Sequence, residues 1–457
     1  MLILGSIFMH SHLNEHPALI CAIRHLEKLN IKQFEIYHEH HSATQIDSKD
    51  QKVDHLSRTE DVGMAIRLIK NKKLGFSFTT SLENPAIKQA IHTALEITEI
   101  MPEDEYLNFY SFNTSEYPNI DHWDTQGLKT PLQEKIVLTQ FLEESCRKSD
   151  PRITAVRRAS LSESCLETHL VDSTGQHIHH RSTTYTASLT CKAESHGDSQ
   201  IGSDFSFSHD LNSLEIEKVA KQSAQLALEL LGAQLSPTLR CPAVLRNSVV
   251  ADLLEFLSDS FSAENIEKGR SMLAGKLGES LFSDQVTVIN DGLLTGGLGT
   301  SPFDGEGIPC KKIILIERGV PIQTLLDSYY AKKTGKDPTG SSIRGIKTPP
   351  TIGVSNLYLK EGQSSPESLI QKITHGILIT DLMGLHTANP VTGQFSLGAS
   401  GILIEKGRLT RPVRGFAVAG NVLDLFRRIT DISHDLRFFG RVGAPSILLN
   451  EISVSGM

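Results

Sequence analysis

The stretch from Asp381 to Gly407 constrains the fold more than any other part of the chain. It reads Asp381-Leu-Met-Gly384-Leu-His-Thr-Ala-Asn389-Pro-Val-Thr392-Gly393-Gln-Phe395-Ser-Leu-Gly398-Ala-Ser-Gly401-Ile-Leu-Ile-Glu405-Lys-Gly407. From Phe395 to Gly401, larger side chains alternate with small ones, and the run continues into the apolar Ile402–Ile404. Glu405-Lys-Gly407-Arg is a tight-turn sequence, and Arg411 to Ala419 reads as the returning strand. A hairpin this rich in glycine lets another backbone come close. That backbone is the protein's own core, a partner subunit or an extended peptide.

With 457 residues, the chain is too long for one ordinary domain. Glycine and proline between Gly232 and Pro237 mark a helix stop. They divide residues 1–235 from 236–457, and the first half splits further into 1–105 and 130–235. A composition of 39% hydrophobic and 21% charged residues supplies an ample core. The net charge of −8 argues against a nucleic-acid surface. Six scattered cysteines form no Cys-x-x-Cys pair, so reduced thiols are expected. The apolar start Met1–Met9 lacks the basic flank of a signal peptide, with His10 and His12 directly after it. No window is apolar enough to span a bilayer. The expected location is the cytoplasm.

Apolar spacing predicts helices over Pro17–Leu29, from Asn84, over Leu132–Arg147, Leu214–Leu231 and Val249–Phe261. Gly63–Ile69 and Leu74–Thr80 read as a hairpin about Asn71-Lys-Lys. Met101 to Thr130 reads as a connector, and Ile153 to Phe207 as an antiparallel meander. Gly335 to Pro350 is expected to be a long loop.

Local chemical motifs are weak. Gly296-Gly297-x-Gly299 runs into Thr-Ser-Pro rather than a helix start, so it is no phosphate cradle. His38 and His40 share one face of a strand, and His177, His179 and His180 follow the Gly175 turn. Metal binding at either group competes with an exposed polar strand face, which is the expected state. Asp304 and Glu306, near Asp291, are candidate paired carboxylates, although turn and capping bonds are the commoner use of Asp in such a loop. His434-Asp435 are neighbours on the chain and are not expected to face each other.

Taken together, several stretches resemble the TldD/PmbA family, a two-subunit intracellular metalloprotease also called a modulator of DNA gyrase. They are Thr300-Ser-Pro-Phe-Asp304-Gly-Glu306-Gly, Leu325 to Gly335, Thr339-Gly340, Gly376 to Gly384, Thr392-Gly393-x-Phe395-Ser396-x-Gly398-Ala-x-Gly401 and Ala417-Val-Ala-Gly420-Asn421. The N-terminal half matches in outline only, through the Gly75-Phe76 hairpin and its following helix. The resemblance implies an α+β fold. Its N-terminal half is α/β with an antiparallel sheet, and its C-terminal half is built on a large, curved, barrel-like antiparallel sheet.

In this family the TldD kind of subunit carries His-Glu-x-x-x-His on a helix plus a distal cysteine as zinc ligands. The PmbA (TldE) kind lacks them and pairs with TldD. With Val244-Leu245 as anchor, the motif positions fall on Glu255, Phe256 and Ser260. No histidine lies between His209 and His375, and Asp435 to Pro445 contains no cysteine. Three protein ligands and a base are needed for zinc hydrolysis. The resemblance therefore implies a PmbA-like, non-catalytic subunit with no cofactor of its own, zinc being expected only on a TldD-type partner. Asp304, Glu306, Thr392, Phe395, Ser396, Gly398 and Gly401 are candidate contacts to an unfolded peptide or to the partner. A free-standing homodimer that binds peptides or ligands without cutting is the alternative. An enzyme with a metal site relocated to the His38 or His177 group is a third.

Overall fold

The computed structural model describes residues 16–109 and 117–456. The Met1–Met9 segment, His10, His12 and the middle of the 101–130 connector lie outside the described residues.

The first half is one six-stranded antiparallel sheet under helices. In chain order it contains α1 (Pro17–Lys28), β1 (Phe34–Lys49), β2 (Lys52–Lys70), β3 (Lys73–Thr79), α2 (Asn84–Ile100), α3 (Thr125–Lys129), α4 (Leu132–Ser149), β4 (Ile153–Asp172), β5 (His177–Ser195), β6 (Asp198–Ser208) and α5 (Ile216–Leu228). The strand order is β3-β2-β1-β4-β5-β6, so the sheet runs unbroken across the 101–130 connector. One face carries both helix pairs. At one end Ile36, Ile66 and Val171 pack under Leu19, Ile23, Ile87 and Ile91 of α1 and α2. Toward the other end Tyr185, Ala187, Leu189 and Cys191 pack under Leu142 of α4 and Val219 and Ala224 of α5.

The second half opens with β7 (Gln234–Leu235), β8 (Leu239–Leu245), α6 (Asn247–Ser258) and α7 (Ala263–Glu267). Next come β9 (Val288–Asp291), β10 (Lys312–Glu317), β11 (Val320–Pro321) and α8 (Ser328–Thr334). Then follow β12 (Ser342–Gly345), β13 (Thr348–Ile352), β14 (Leu357–Leu359), α9 (Pro366–Gln371), β15 (His375–Met383), β16 (Gln394–Glu405) and β17 (Arg408–Asn421). The chain finishes with α10 (Val422–Arg427), β18 (Ile429–Ile432), β19 (Arg437–Phe439), β20 (Val442–Ala444) and β21 (Ile447–Ser455). The segment expected to be a loop, Gly335 to Pro350, instead forms much of the β12–β13 hairpin. Pro349 and Pro350 are tolerated there because this sheet has only two strands.

Strands β21, β8, β15, β16 and β17 lie side by side, and β17 also pairs with β21 through Ala417 and Val418. That closes a five-stranded barrel, with α6 packed against its core. The α+β architecture with a curved, barrel-like second half is therefore as expected. From Gly398 to Glu405, β16 has a hydrogen-bonded neighbour on each side. The backbone that approaches Gly401 is the protein's own, since a Cβ there would collide with the Leu378 carbonyl oxygen of β15. All six cysteines are free. Among the described residues, no helix is long and apolar enough to cross a membrane.

Replacing Gly401 by Val should overpack the barrel and cost about 1–3 kcal/mol in urea unfolding. Gly398→Ala is the matched control. Its Cβ would meet only the Met383 side chain at ordinary contact distance, and stability should be nearly unchanged.

Candidate functional site

Helices occupy one face of the N-terminal sheet, so its other face meets the second half. A cleft with a cavity volume of 590 Å³ lies at the β6 edge of that sheet, between α5 and the second half, lined by Thr190 of β5, Asp204 of β6, Gln222 of α5, Asn247 of α6, Thr380 and Asp381 of β15, and Arg437 of β19. Arg437 Nη2 donates to Asp204 Oδ1 at 2.7 Å and to the Phe205 carbonyl at 2.8 Å, which ties β19 to β6. Asn247 Nδ2 donates to the Asp435 carbonyl at 3.3 Å, and the Asp435 carboxylate accepts from Ser446 N and Oγ, both at 2.8 Å. His434 is not its partner; its own N–H donates to the Ser364 carbonyl.

Two polar atoms in this cleft are buried without a hydrogen-bond partner among the described residues, Thr380 Oγ1 and Asp204 Oδ2. Such groups are costly unless something satisfies them. Burial outweighs Arg437 and raises the Asp204 carboxyl above its ordinary value. Asp252 of α6 is pushed up to about 6, first by desolvation and then by Glu255 and Asp381. The arrangement offers hydrogen-bond acceptors and negative charge, which suits a polypeptide backbone better than an apolar ligand.

The three positions that the family resemblance assigns to a zinc motif do not converge. Glu255 is exposed on α6. Phe256 is partly buried against the barrel core. Ser260 is buried in the 3₁₀ turn Asp259–Phe261, its carbonyl accepting from Ser271 Oγ at 2.7 Å. A zinc ion needs three or four converging N, S or O donors at about 2.0–2.3 Å. One exposed carboxylate, one phenyl ring and one hydroxyl in three environments do not fit it.

Asp304 and Glu306 belong to a different structure, a buried polar network between the two halves. Asp304 Oδ1 accepts from Glu306 N (2.8 Å) and Ile308 N (2.9 Å), and Oδ2 from Ser342 N (2.9 Å), so its loop is tied to β12. Burial, then Glu306, pushes Asp304 up to about 8 against those three donors. Glu306 accepts from Ser328 N at 2.8 Å and Ser328 Oγ at 2.7 Å at the start of α8. It also meets Arg67 of β2 at 3.4 Å. Arg67 reaches Glu35 of β1 at 3.2 Å, and Arg344 of β12 pairs with the same Glu35. The Arg344 guanidinium lies 4.3 Å from the centre of the Tyr37 ring. Burial would raise the Glu35 pKa, but the two guanidiniums outweigh it and hold the group below its ordinary value. Beside the network is a second cavity, of 510 Å³, whose lining includes Tyr37, His180, Asp304 and Arg344.

Family models cover most of this chain. Residues 238–456 match the PmbA/TldA metallopeptidase C-terminal domain, 127–231 the central domain and 34–98 domain 1. The chain belongs to the PmbA/TldD family. Among its relatives is the metalloprotease PmbA of Escherichia coli O157:H7, 25% identical, with 88% of each chain covered. The metalloprotease TldD homolog of Haemophilus influenzae is also 25% identical, with 87% of each chain covered. The solved structure of TldE from Thermococcus kodakarensis superposes with a TM-score of 0.86 at 26% identity, covering 96% of this chain and 100% of that one.

The PmbA/TldD signature of the glycine hairpin mixes core and surface residues. Phe395 is buried in the barrel core and Gly401 is buried beside β15. Thr392 and Ser396 are exposed, and Gly398 is half-buried beside Met383. Residues 394–397 pair with β17. Neither the hairpin nor the Asp304 loop lines the cleft at α6, whose lining instead includes Asp381. Glu35, Arg67, Asp204, Arg344 and Arg437 were not singled out in the sequence. Each is an isolated charge whose partner lies far along the chain, and no local spacing marks it.

His38 differs from expectation. It is 7% exposed, not on an open polar face, because His16 at the start of α1 lies against it. His40, on the same face, is half-exposed and sits 2.9 Å from Glu60.

Arg67→Ala should lower stability by about 3–5 kcal/mol in chemical unfolding, because it strands buried carboxylates. The Glu35 pKa is depressed, so its contribution is present above the ordinary carboxylate value of 4.5 and is lost as pH falls through the lower folded value. The stability gap between wild type and Glu35→Gln should therefore be widest at neutral pH and should narrow on acidification below that value.

Proposed function

We propose that this chain is a cytoplasmic PmbA/TldE-like subunit without zinc chemistry of its own. It pairs with a TldD-type metalloprotease and helps bind and process unfolded peptides. The observation that carries this reading is the donor set on α6 and the turn after it. Glu255, Phe256 and Ser260, the positions that the family resemblance assigns to the zinc motif, neither converge nor supply imidazole or thiolate. Full coverage of the TldE structure from Thermococcus kodakarensis by this fold supports the same assignment.

The cleft beside α6 supports peptide binding. Its unpartnered Thr380 hydroxyl and Asp204 carboxylate are groups that a backbone amide would satisfy. On this reading Thr392 and Ser396, with exposed Met383 and Val391 nearby, belong to the partner contact. Phe395 and Gly401 hold the hairpin in shape, while Asp304 and Glu306 hold the halves together.

The test is co-expression with a TldD-type chain carrying His-Glu-x-x-x-His, followed by size-exclusion chromatography and a cleavage assay on an unfolded peptide. The pair should co-elute and cleave, and this chain alone should not cleave. Thr380→Val preserves shape and removes one hydrogen bond. It should raise the KM of the pair roughly 2–10-fold with kcat little changed. Failure of the pair to associate, or metal-dependent cleavage by this chain alone, would overturn the reading.

A further inference from the structure

The helix-bearing face of the N-terminal sheet holds a second constellation, away from the cleft. The register of β1, β4 and β5 places His38 beside His169, and His169 beside His179. Three strands thus present a histidine at one level. Glu167, two residues before His169, shares that face. Its Oε1 lies 2.9 Å from His179 Nε2 and 3.6 Å from His169 Nε2. His16, the residue before α1, covers the group, with its ring centre 4.0 Å from that of His169. These residues lie between the Ile36–Val171 end of the sheet, which carries α1 and α2, and the Ser48–Ala159 end, where Ser48 bonds Glu143 of α4.

A cluster of histidines in a sheet is most often a set of satisfied polar side chains. Two observations speak against that here. His169 is 2% exposed, yet its Nε2 has no hydrogen-bond partner among the described residues, and the same is true of Nδ1 of the buried His38. Buried polar nitrogens are ordinarily paired. In addition, His169 Nδ1 lies 3.3 Å from His177 Nε2. With Nδ1–H donating to His177, the Nε2 lone pair of His169 is left facing Glu167 and His179. This is the arrangement in which an outer hydrogen bond fixes the tautomer of a metal ligand.

The distances agree. Donors bound at about 2.0–2.1 Å in a tetrahedron lie about 3.3 Å apart. One donor atom from each of Glu167, His169 and His179 falls within 4.8 Å of the other two.

We propose that Glu167, His169 and His179 form a binding site for a divalent transition metal that favours imidazole and carboxylate donors, zinc foremost. His16 and His38 flank it and keep one side dry. Glu167 and His179 are each 37% exposed at the side chain, which leaves the ion an entry path and an open coordination position. The site shares no residue with the cleft, so this assignment and the subunit reading above stand or fall separately.

The test uses the untagged full-length chain, freed of metal by chelator dialysis. Zn²⁺ binding is measured by calorimetry and elemental analysis, and Co²⁺ binding by visible absorption. One equivalent of each should bind, Co²⁺ should show the intense bands of a low-coordinate site, and Zn²⁺ should raise the thermal midpoint. His179→Ala and Glu167→Gln change exposed side chains and should leave the metal-free fold intact by circular dichroism. Each should weaken binding by at least about ten-fold and abolish the Zn²⁺-dependent thermal shift. His40→Ala, on the same face but paired with Glu60, should bind as wild type does. No stoichiometric uptake by wild type, unchanged binding in both His179→Ala and Glu167→Gln, or equal loss in His40→Ala would each overturn the assignment.

Discussion

The structure depends on a small group of charges buried where the two halves meet. Glu35 and Arg67 come from adjacent strands of the first sheet, Glu306 from a loop of the second half and Arg344 from its small hairpin. Removing such charges from water is expensive, and their mutual attraction only roughly offsets that cost. What the network supplies is orientation. A carboxylate held between two guanidiniums, and a second one anchored on the first turn of α8, accept few relative placements of the halves. Because the halves are fixed, the cleft beside α6 has a defined width, and Arg437 can reach across it to Asp204.

Much of the fold was legible in the sequence, because apolar periodicity reports burial. The helices α1, α2, α5 and α6 stand where apolar spacing predicts helices, since each packs one buried stripe onto a sheet. The glycine hairpin was legible too, as was the turn between β16 and β17. The long strands β1 and β2 were harder to read. The central residues of β1 and the first half of β2 are only partly buried or exposed, so strand formation there leaves little hydrophobic alternation. The β12–β13 hairpin was hidden by its prolines and glycines, which a two-stranded edge accommodates.

The candidate sites were less legible than the fold, for a geometric reason. A site built from one strand shows itself as spacing, whereas these are built across strands and across halves. His38, His169 and His179 sit in one row of the sheet although the first and last are 141 positions apart. Arg67 and Glu306 are separated by 239 positions. Of the local signals that did appear, His38 and the His177–His179 pair were fragments of one arrangement that only strand register could assemble. The absence of a histidine pair on α6, in contrast, was a purely local fact and could be read directly.

The closed barrel has a consequence for the order in which the molecule is made. β8, near residue 240, has β21 on one side, and β21 spans residues 447–455. During synthesis β8 and the apolar face of α6 must therefore wait while some two hundred further residues are added. Until then, their edge and core surface have no permanent cover. The N-terminal sheet draws all its strands from the first 208 residues and can assemble while the rest is still being translated. The two halves thus fold on different clocks, and the interval between them is when this protein is most exposed to aggregation and to chaperones.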